Sequence, residues 1–151
     1  WATGTGHYAG VDQVLAAMGH AARVRAVPYI EDMPSALSVT DLCVSRAGAM
    51  TTAELLAWGV PAILVPLPTA AANHQELNAQ ALQESGAAVH LRQADLMPEA
   101  LWRAVEELAG DEERLERMSH AARVRSHPEA ATAIVAEMIR LLPGPRREVT
   151  A

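Results

Sequence analysis

The sequence predicts an α/β protein, a Rossmann-like parallel sheet flanked by helices. Short apolar segments alternate with segments of helical spacing, and neighbouring apolar segments lie about 20 residues apart, which is the rhythm of βαβ units. The run 62–65 is apolar at every position, as expected of a parallel strand that is covered on both faces. A chain of 151 residues is long enough for one domain core.

The predicted strands are short apolar segments bounded by polar or turn residues, at 24–30, 41–45, 62–65 and 87–91, with a shorter one at 1–2. The predicted helices lie at 11–20, 51–58, 75–84, 98–109, 112–125 and 128–142. Gly59 and Gly86 are expected to end two of these helices, and Asp95 to cap the helix that Pro98 opens. Residues 143–151, rich in Pro and Arg, are expected to form a flexible tail after a domain of residues 1–142.

The composition excludes several functional classes. The formal net charge of −6 argues against a nucleic-acid-binding surface. No apolar run approaches the roughly 18 residues of a membrane-spanning helix. Cys43 is the single cysteine, so the chain cannot form an internal disulfide. We expect Cys43 to be a small buried apolar residue. The six histidines show no metal-ligand spacing, so we expect neither a metal nor another cofactor.

The first motif with chemical meaning is the turn that follows the predicted strand 41–45. A turn of small residues leads into a helix that is predicted to begin at Met50 or Thr51. Gly48 would let a phosphate approach the backbone, and the N–H groups of Ala49, Met50 and Thr51 would bind it. The hydroxyl of Thr51 or Thr52 is a further candidate donor. The alternative is a purely structural turn between strand and helix.

Two further groups of polar residues are candidate sugar-binding residues. Glu54 follows the turn on the same helix, where a carboxylate can accept hydrogen bonds from two ribose hydroxyls, or simply favour the start of the helix. His74, Gln75 and Asn78 lie at the start of the next predicted helix, and amide side chains both donate to and accept from sugar hydroxyls. Together with the phosphate turn, these residues indicate a nucleotide-sugar site.

The segments 45–54, 59–61 and 74–79, in this order and spacing, resemble the MurG family of bacterial N-acetylglucosaminyltransferases. The resemblance extends over about residues 1–142. It implies the C-terminal, donor-binding half of a GT-B glycosyltransferase, whose two Rossmann-like domains face each other across a cleft. It also implies inverting, metal-independent transfer of GlcNAc from UDP-GlcNAc to lipid I in peptidoglycan synthesis.

The resemblance also implies roles for individual residues. Uracil would be recognised by the backbone of Ile30, and ribose by Glu54. The diphosphate would lie at the turn formed by Gly48, Ala49, Met50 and Thr51. The GlcNAc hydroxyls would contact Gln75, supported by Asn78 and His74, and Arg46 would brace the site.

We expect this chain to be part of a larger protein, because it begins without a start methionine and without the family's opening glycine loop. The acceptor domain and the candidate general base would lie in the other part, so no catalytic residue is expected here. The isolated chain is therefore expected to be inactive. The whole enzyme is expected to be a peripheral protein on the cytoplasmic face of the bacterial plasma membrane, with no nucleic-acid partner.

Three alternatives remain open at this stage. The chain could be a free-standing donor-binding subunit of a split glycosyltransferase, or part of a related enzyme with another lipid or natural-product acceptor. A structural Rossmann-like domain with a dead site is disfavoured, because Glu54, Gln75 and Asn78 occur together.

The last predicted helix has an apolar stripe that either contacts the missing domain or covers this domain's own sheet.

Overall fold

The computed structural model describes residues 1–18 and 23–142. The chain divides into two compact units, the first of which is Trp1–Thr40, while the second begins at Asp41. The predicted flexible tail at 143–151 lies outside the described residues, and so does the predicted end of the first helix at His20.

In the first unit, the residues at 1–18 and 23–40 form two helices and one parallel bridge. The bridge joins Ala2 to Val27, so the predicted strands at 1–2 and 24–30 pair only at this point. Helix α1 is Tyr8–Ala17 and therefore begins three residues before its predicted start. Helix α2, Met33–Ser38, was not predicted. It forms because the Asp32 carboxylate accepts a hydrogen bond from the Ser35 N–H at 3.1 Å, which caps the helix.

The second unit contains a parallel sheet of three strands, β1 (Cys43–Ser45), β2 (Ala62–Leu64) and β3 (Ala88–His90), in that order. Ile63 pairs with Val44 on one side and with Val89 on the other. All three residues of β2 are buried, which agrees with their uniformly apolar sequence. The predicted parallel sheet is therefore confirmed, and each of its strands is one or two residues shorter than predicted.

Five α-helices lie in the described part of the second unit, residues 41–142, and all five were predicted to within two residues at either end. They are α3 (Ala49–Trp58), α4 (His74–Glu84), α5 (Pro98–Ala109), α6 (Glu112–Arg125) and α7 (Ala130–Leu141). Helix α3 ends at Gly59, whose φ of 68° is the left-handed conformation that favours glycine. The chain then turns directly into β2.

The prediction that Asp95 caps α5 is wrong. The residue before α5 is Met97, and it makes no side-chain capping bond. Asp95 instead ends a short 3-10 turn, and its carboxylate accepts a hydrogen bond from Arg92 Nε at 2.7 Å. Arg92 lies three residues away on the same turn, so this local ion pair prevails over capping a helix that begins farther along the chain.

The core lies between the sheet and helices α5 and α6. Its fully buried members are Ile63 of β2, Leu108 of α5 and Met118 of α6, and part-buried residues of the sheet and of α5 surround them. Helices α5 and α6 therefore cover one face of the sheet.

Helix α7 does not contribute to this core, so the alternative in which it covers the domain's own sheet is wrong. Every residue from Ala130 to Leu142 is exposed. Ile134, Met138 and Ile139 are 60%, 62% and 64% accessible and share one face of the helix. No helix among the described residues is long and apolar enough to cross a membrane.

Replacement of Gly59 by alanine should destabilise the fold. An added Cβ would lie 2.6 Å from Arg123 Nε, and alanine is disfavoured at positive φ. We expect a loss of about 1–2 kcal/mol in the free energy of unfolding, measured by urea denaturation. Gly10→Ala is the control, because Gly10 is helical with nothing within 4 Å, and it should be neutral or slightly stabilising. Equal losses in both variants would contradict this explanation.

The exposed face of α7 should make the isolated chain self-associate. We expect concentration-dependent oligomers in light scattering, because an apolar stripe of this size is rarely left in contact with water. Ile139→Glu should restore a monomer, whereas Val124→Glu, at an exposed position on α6, should not. A monodisperse monomer for the unchanged chain would show that this face is stable in water.

Candidate functional site

The candidate site lies at the carboxyl ends of β1 and β2, where open α/β sheets bind their ligands. Two loops meet there, one at residues 46–48 after β1 and the other at residues 65–73 after β2. The helices that follow these loops, α3 and α4, begin at the same edge because the strands are parallel.

The start of α3 presents three backbone N–H groups without intrahelical partners. Gly48 precedes the helix with extended backbone, and the first helical bond runs from Thr52 N–H to Gly48 O at 2.9 Å. The N–H groups of Ala49, Met50 and Thr51 come before that bond and point away from the helix. The helix begins one residue before its predicted start, and this brings the end of its dipole to the turn.

The two threonines of this turn differ in their surroundings. The hydroxyl of Thr52 is buried and lies 3.0 Å from both Gly48 O and Ala49 O, so its proton is used within the protein. Thr51 is half-buried, and its hydroxyl makes no hydrogen bond to another described residue. Of the two hydroxyls named from the sequence, only that of Thr51 can donate to a ligand.

Gly48 has an ordinary negative φ and is surrounded by open space. An added Cβ would have a single neighbour, the Thr51 hydroxyl oxygen at 4.0 Å. The protein itself would therefore tolerate a methyl group here. A need for glycine at this position would come from a ligand that approaches the backbone closely.

Glu54 is exposed, and its carboxylate has no hydrogen-bond or ion-pair partner among the described residues. It is the sixth residue of α3, because the helix begins at Ala49. The alternative explanation, a favourable charge in the first helical turn, therefore does not apply. Both carboxylate oxygens can accept hydrogen bonds from a ligand.

Arg46 connects all three strand ends. Its Nη1 atom donates to the carbonyl oxygens of Val65 at 3.1 Å and Pro66 at 3.3 Å, just after β2. The same atom lies 2.6 Å from Gln93 Oε1, in the turn that follows β3. Sequence reasoning missed Gln93, because nothing local distinguishes it from other surface glutamines.

The amide side chains at the start of α4 also hold neighbouring loops. Gln75 Oε1 accepts a hydrogen bond from the Leu67 N–H at 3.0 Å, and Asn78 Nδ2 donates to Ala47 O at 3.0 Å. Asn78 thus fixes the turn before α3, in which the three N–H groups lie. Gln75 Nε2 has no hydrogen-bond partner within the described part of the chain.

The segment just before α4 is strained. Ala72 and Asn73 have φ values of 48° and 57°, and each costs about 1–2 kcal/mol for a residue with a side chain. Asn73 precedes α4 but makes no capping bond with its side chain. His74 Nδ1 lies 2.7 Å from Ala71 O, and a carbonyl can only accept, so Nδ1 carries the proton. In the neutral ring, Nε2 is then an acceptor.

Ile30, the residue predicted to meet a base through its backbone, belongs to the first unit, where it is half-buried after the bridge at Val27. No group of metal-ligating side chains is found among the described residues. Burial raises the pKa of the Cys43 thiol, which makes a reactive thiolate less accessible.

Residues 1–134 match the model of the glycosyltransferase family 28 C-terminal domain. The chain therefore belongs to this family of glycosyltransferase domains. The predicted fold, the Rossmann-like C-terminal half of a GT-B glycosyltransferase, is confirmed, and so is the resemblance to the MurG family.

Individual relatives agree with this assignment. The chain is 40% identical over 142 residues to the UDP-N-acetylglucosamine--N-acetylmuramyl-(pentapeptide) pyrophosphoryl-undecaprenol N-acetylglucosamine transferase of Listeria welshimeri. This match covers 94% of the chain but only 39% of the relative. The crystal structure of Acinetobacter baumannii MurG superimposes with a TM-score of 0.81 at 33% identity, over 91% of this chain and 41% of that one. The glycotransferase of kitacinnamycin is more distant, with a TM-score of 0.57 and 27% identity over 80% and 30%.

Removal of the Arg46 guanidinium should destabilise the second unit. Arg46→Met keeps the length of the side chain but loses its hydrogen bonds to the two strand-end carbonyls and to Gln93. We expect a loss of about 1–2 kcal/mol in the free energy of unfolding by urea denaturation. Arg103→Met, on an exposed surface of α5, should change it by less than about 0.5 kcal/mol. An unchanged stability in Arg46→Met would mean that water replaces these bonds.

Proposed function

We propose that this chain is the donor-binding part of an enzyme that transfers GlcNAc from UDP-GlcNAc to lipid I, forming lipid II in peptidoglycan synthesis. The observation that carries this proposal is the meeting of two helix starts at one sheet edge. Helix α3 presents three N–H groups at its start and the Glu54 carboxylate in its second turn, and helix α4 presents polar side chains at its start. The names of the relatives supply the reaction, although the chain spans only 39% of the length of the first of them.

The diphosphate of the donor would bind at the start of α3. The N–H groups of Ala49, Met50 and Thr51 and the helix dipole stabilise a negative charge, and the Thr51 hydroxyl adds a donor. Gly48 allows the phosphate to approach the backbone. Because these groups stabilise the negative charge of the diphosphate, the proposal requires no metal ion.

The remaining parts of the donor would contact the residues around this turn. Glu54 accepts hydrogen bonds from the ribose hydroxyls. Recognition of uracil by the backbone of Ile30, in the first unit, stays a prediction that rests on the family resemblance. Gln75 Nε2 donates to a GlcNAc hydroxyl, and His74 Nε2 accepts from another. Asn78 acts by holding the phosphate turn, and Arg46 by joining the strand ends.

In the proposed reaction, an acceptor hydroxyl oxygen attacks the anomeric carbon while the bond from that carbon to the UDP oxygen breaks. The hydroxyl proton passes to a general base, and UDP leaves with the bonding electrons. This chain stabilises the leaving diphosphate, whereas the base and the lipid I site belong to the part of the relatives that it does not span. The isolated domain, residues 1–142 followed by the tail at 143–151, is accordingly proposed to be inactive.

The complete enzyme is proposed to work at the cytoplasmic face of the plasma membrane as a peripheral protein, because its acceptor carries a lipid. A second candidate is a related transferase with a natural-product acceptor, which the likeness to the kitacinnamycin glycotransferase favours. The lower identity of that match, 27% against 40%, makes it the weaker candidate.

Titration calorimetry with UDP-GlcNAc, UDP-glucose and UDP tests the donor site. We expect Glu54→Ala to weaken all three ligands at least about tenfold, because each contains ribose. Gln75→Ala should weaken UDP-GlcNAc and UDP-glucose to a similar extent, because the two sugars share the ring hydroxyls other than the C2 substituent, and it should leave UDP unchanged. Gly48→Ala should weaken binding without loss of stability, because only the ligand would meet the added methyl group.

The matched control is Glu107→Ala, which removes an exposed carboxylate of α5 and should leave all three affinities unchanged. If Glu54→Ala binds as well as the parent, the ribose assignment is wrong. If nothing binds at millimolar concentrations, the same titration is repeated with an N-terminally extended chain. Binding by the extended chain would mean that the site was incomplete, and no binding would mean that the site does not recognise these ligands. A transfer assay with lipid I should show no turnover by the isolated chain. Turnover would contradict the proposal that the general base and the lipid I site lie outside this chain.

A further inference from the structure

A buried histidine lies close to the start of α4. His90 is the last residue of β3, and its side chain is 8% exposed. Its Nε2 atom lies 3.2 Å from Oε1 of Glu76, on the first turn of α4. The backbone N–H of His90 donates to Gln83 Oε1 at 2.8 Å, which joins the same strand end to the last turn of α4.

The contact between His90 and Glu76 depends on charge. Although the two atoms are close enough for an ion pair, their alignment does not make a hydrogen bond, so buried Nε2 has no hydrogen-bond partner. Coulomb attraction to an imidazolium needs no such alignment. The pair therefore attracts strongly only when His90 is protonated.

Glu76 occupies a central position among the contacts that hold the start of α4. Gln75 contacts the loop after β2 through Leu67, and Asn78 contacts the loop after β1 through Ala47. Glu76 lies between these two amides in the sequence and contacts the end of β3. Of the three contacts, only that of Glu76 joins two ionisable side chains, so only its strength depends on protonation.

Few other charges act on this pair among the described residues. Gln80 Nε2 donates to the same Glu76 oxygen at 3.1 Å, and it does not titrate. Asp95, and more weakly Glu76, raises the pKa of the Arg92 guanidinium, which stays charged throughout this range. The neighbouring strand β2 contributes only apolar residues.

We propose that His90 and Glu76 form a positioning pair that, when His90 is protonated, holds the start of α4 in the geometry that recognises the donor sugar. This inference rests on the proposed function of the same site. Protonation strengthens the contact to β3, so that Gln75 and its neighbours are held more firmly. Donor affinity is therefore highest at low pH and falls as the pH rises.

The test is the pH profile of UDP-GlcNAc binding by calorimetry. Both phosphates of UDP-GlcNAc are diesters without a proton that titrates in this range, unlike the terminal phosphate of UDP with its pKa of about 6. From about pH 6 to about pH 8 we expect the affinity to fall about two- to fivefold, the size of a modest ion-pair coupling. His90→Gln and Glu76→Gln should each flatten the profile, and the double variant should behave like either single one.

Two other histidines serve as controls. His120→Gln removes an exposed imidazole of α6 and should keep the slope of the parent. His74→Asn removes the titratable ring within the sugar site itself. If His74→Asn flattens the profile and His90→Gln does not, the pH dependence belongs to His74 and the proposal is wrong.

A second measurement needs no ligand. In a His74→Asn background, which removes the neighbouring ring, the side-chain amide signals of Gln75 and Asn78 in NMR spectra should shift with pH, and adding His90→Gln should make them constant. Amide chemical shifts that do not change with pH in the folded His74→Asn protein would overturn the proposal. Absence of UDP-GlcNAc binding would instead contradict the proposed function, while the amide signals would still decide the role of the pair.

Discussion

Parallel pairing of β1, β2 and β3 is the constraint on which the candidate site depends. It brings the carboxyl ends of all three strands to one edge of the sheet. Loops that are far apart in the chain meet there, and α3 and α4 both begin at that edge. A strand reversed in direction would carry its loop, and the helix that follows, to the opposite edge.

Side chains and backbone have different tasks at this edge. Arg46, Gln75 and Asn78 use hydrogen bonds to hold strand ends and loops in place. The N–H groups at the start of α3 have no such internal partner, and Gly48 leaves the space in front of them open. Long polar side chains thus form hydrogen bonds with the loop backbone. The backbone N–H groups at the start of α3, which are the most rigid donors, are left without a partner among the described residues. Rigid donors lose little entropy when an anion binds.

The second unit buries a core of its own, but part of its apolar surface stays exposed. Helices α5 and α6 bury Leu108 and Met118 against the sheet, whereas α7 leaves its apolar face in water. The relatives are more than twice as long as this chain, since the match covers 39% of the first of them. An apolar helix at the end of a domain that is normally part of a longer protein is consistent with a contact to that other part.

The sequence by itself determined the helices of the second unit, the parallel sheet, the end of α3 at Gly59 and the order of the motifs. These features are local, because apolar spacing and left-handed glycines act within a few residues. The cap assigned to Asp95 failed because a nearer arginine competed for its carboxylate. Only the tertiary structure decided which distant groups meet, such as Arg46 with Gln93, which are 47 residues apart, and Glu76 with His90. A polar side chain has many possible partners, and strand register and helix placement select one of them.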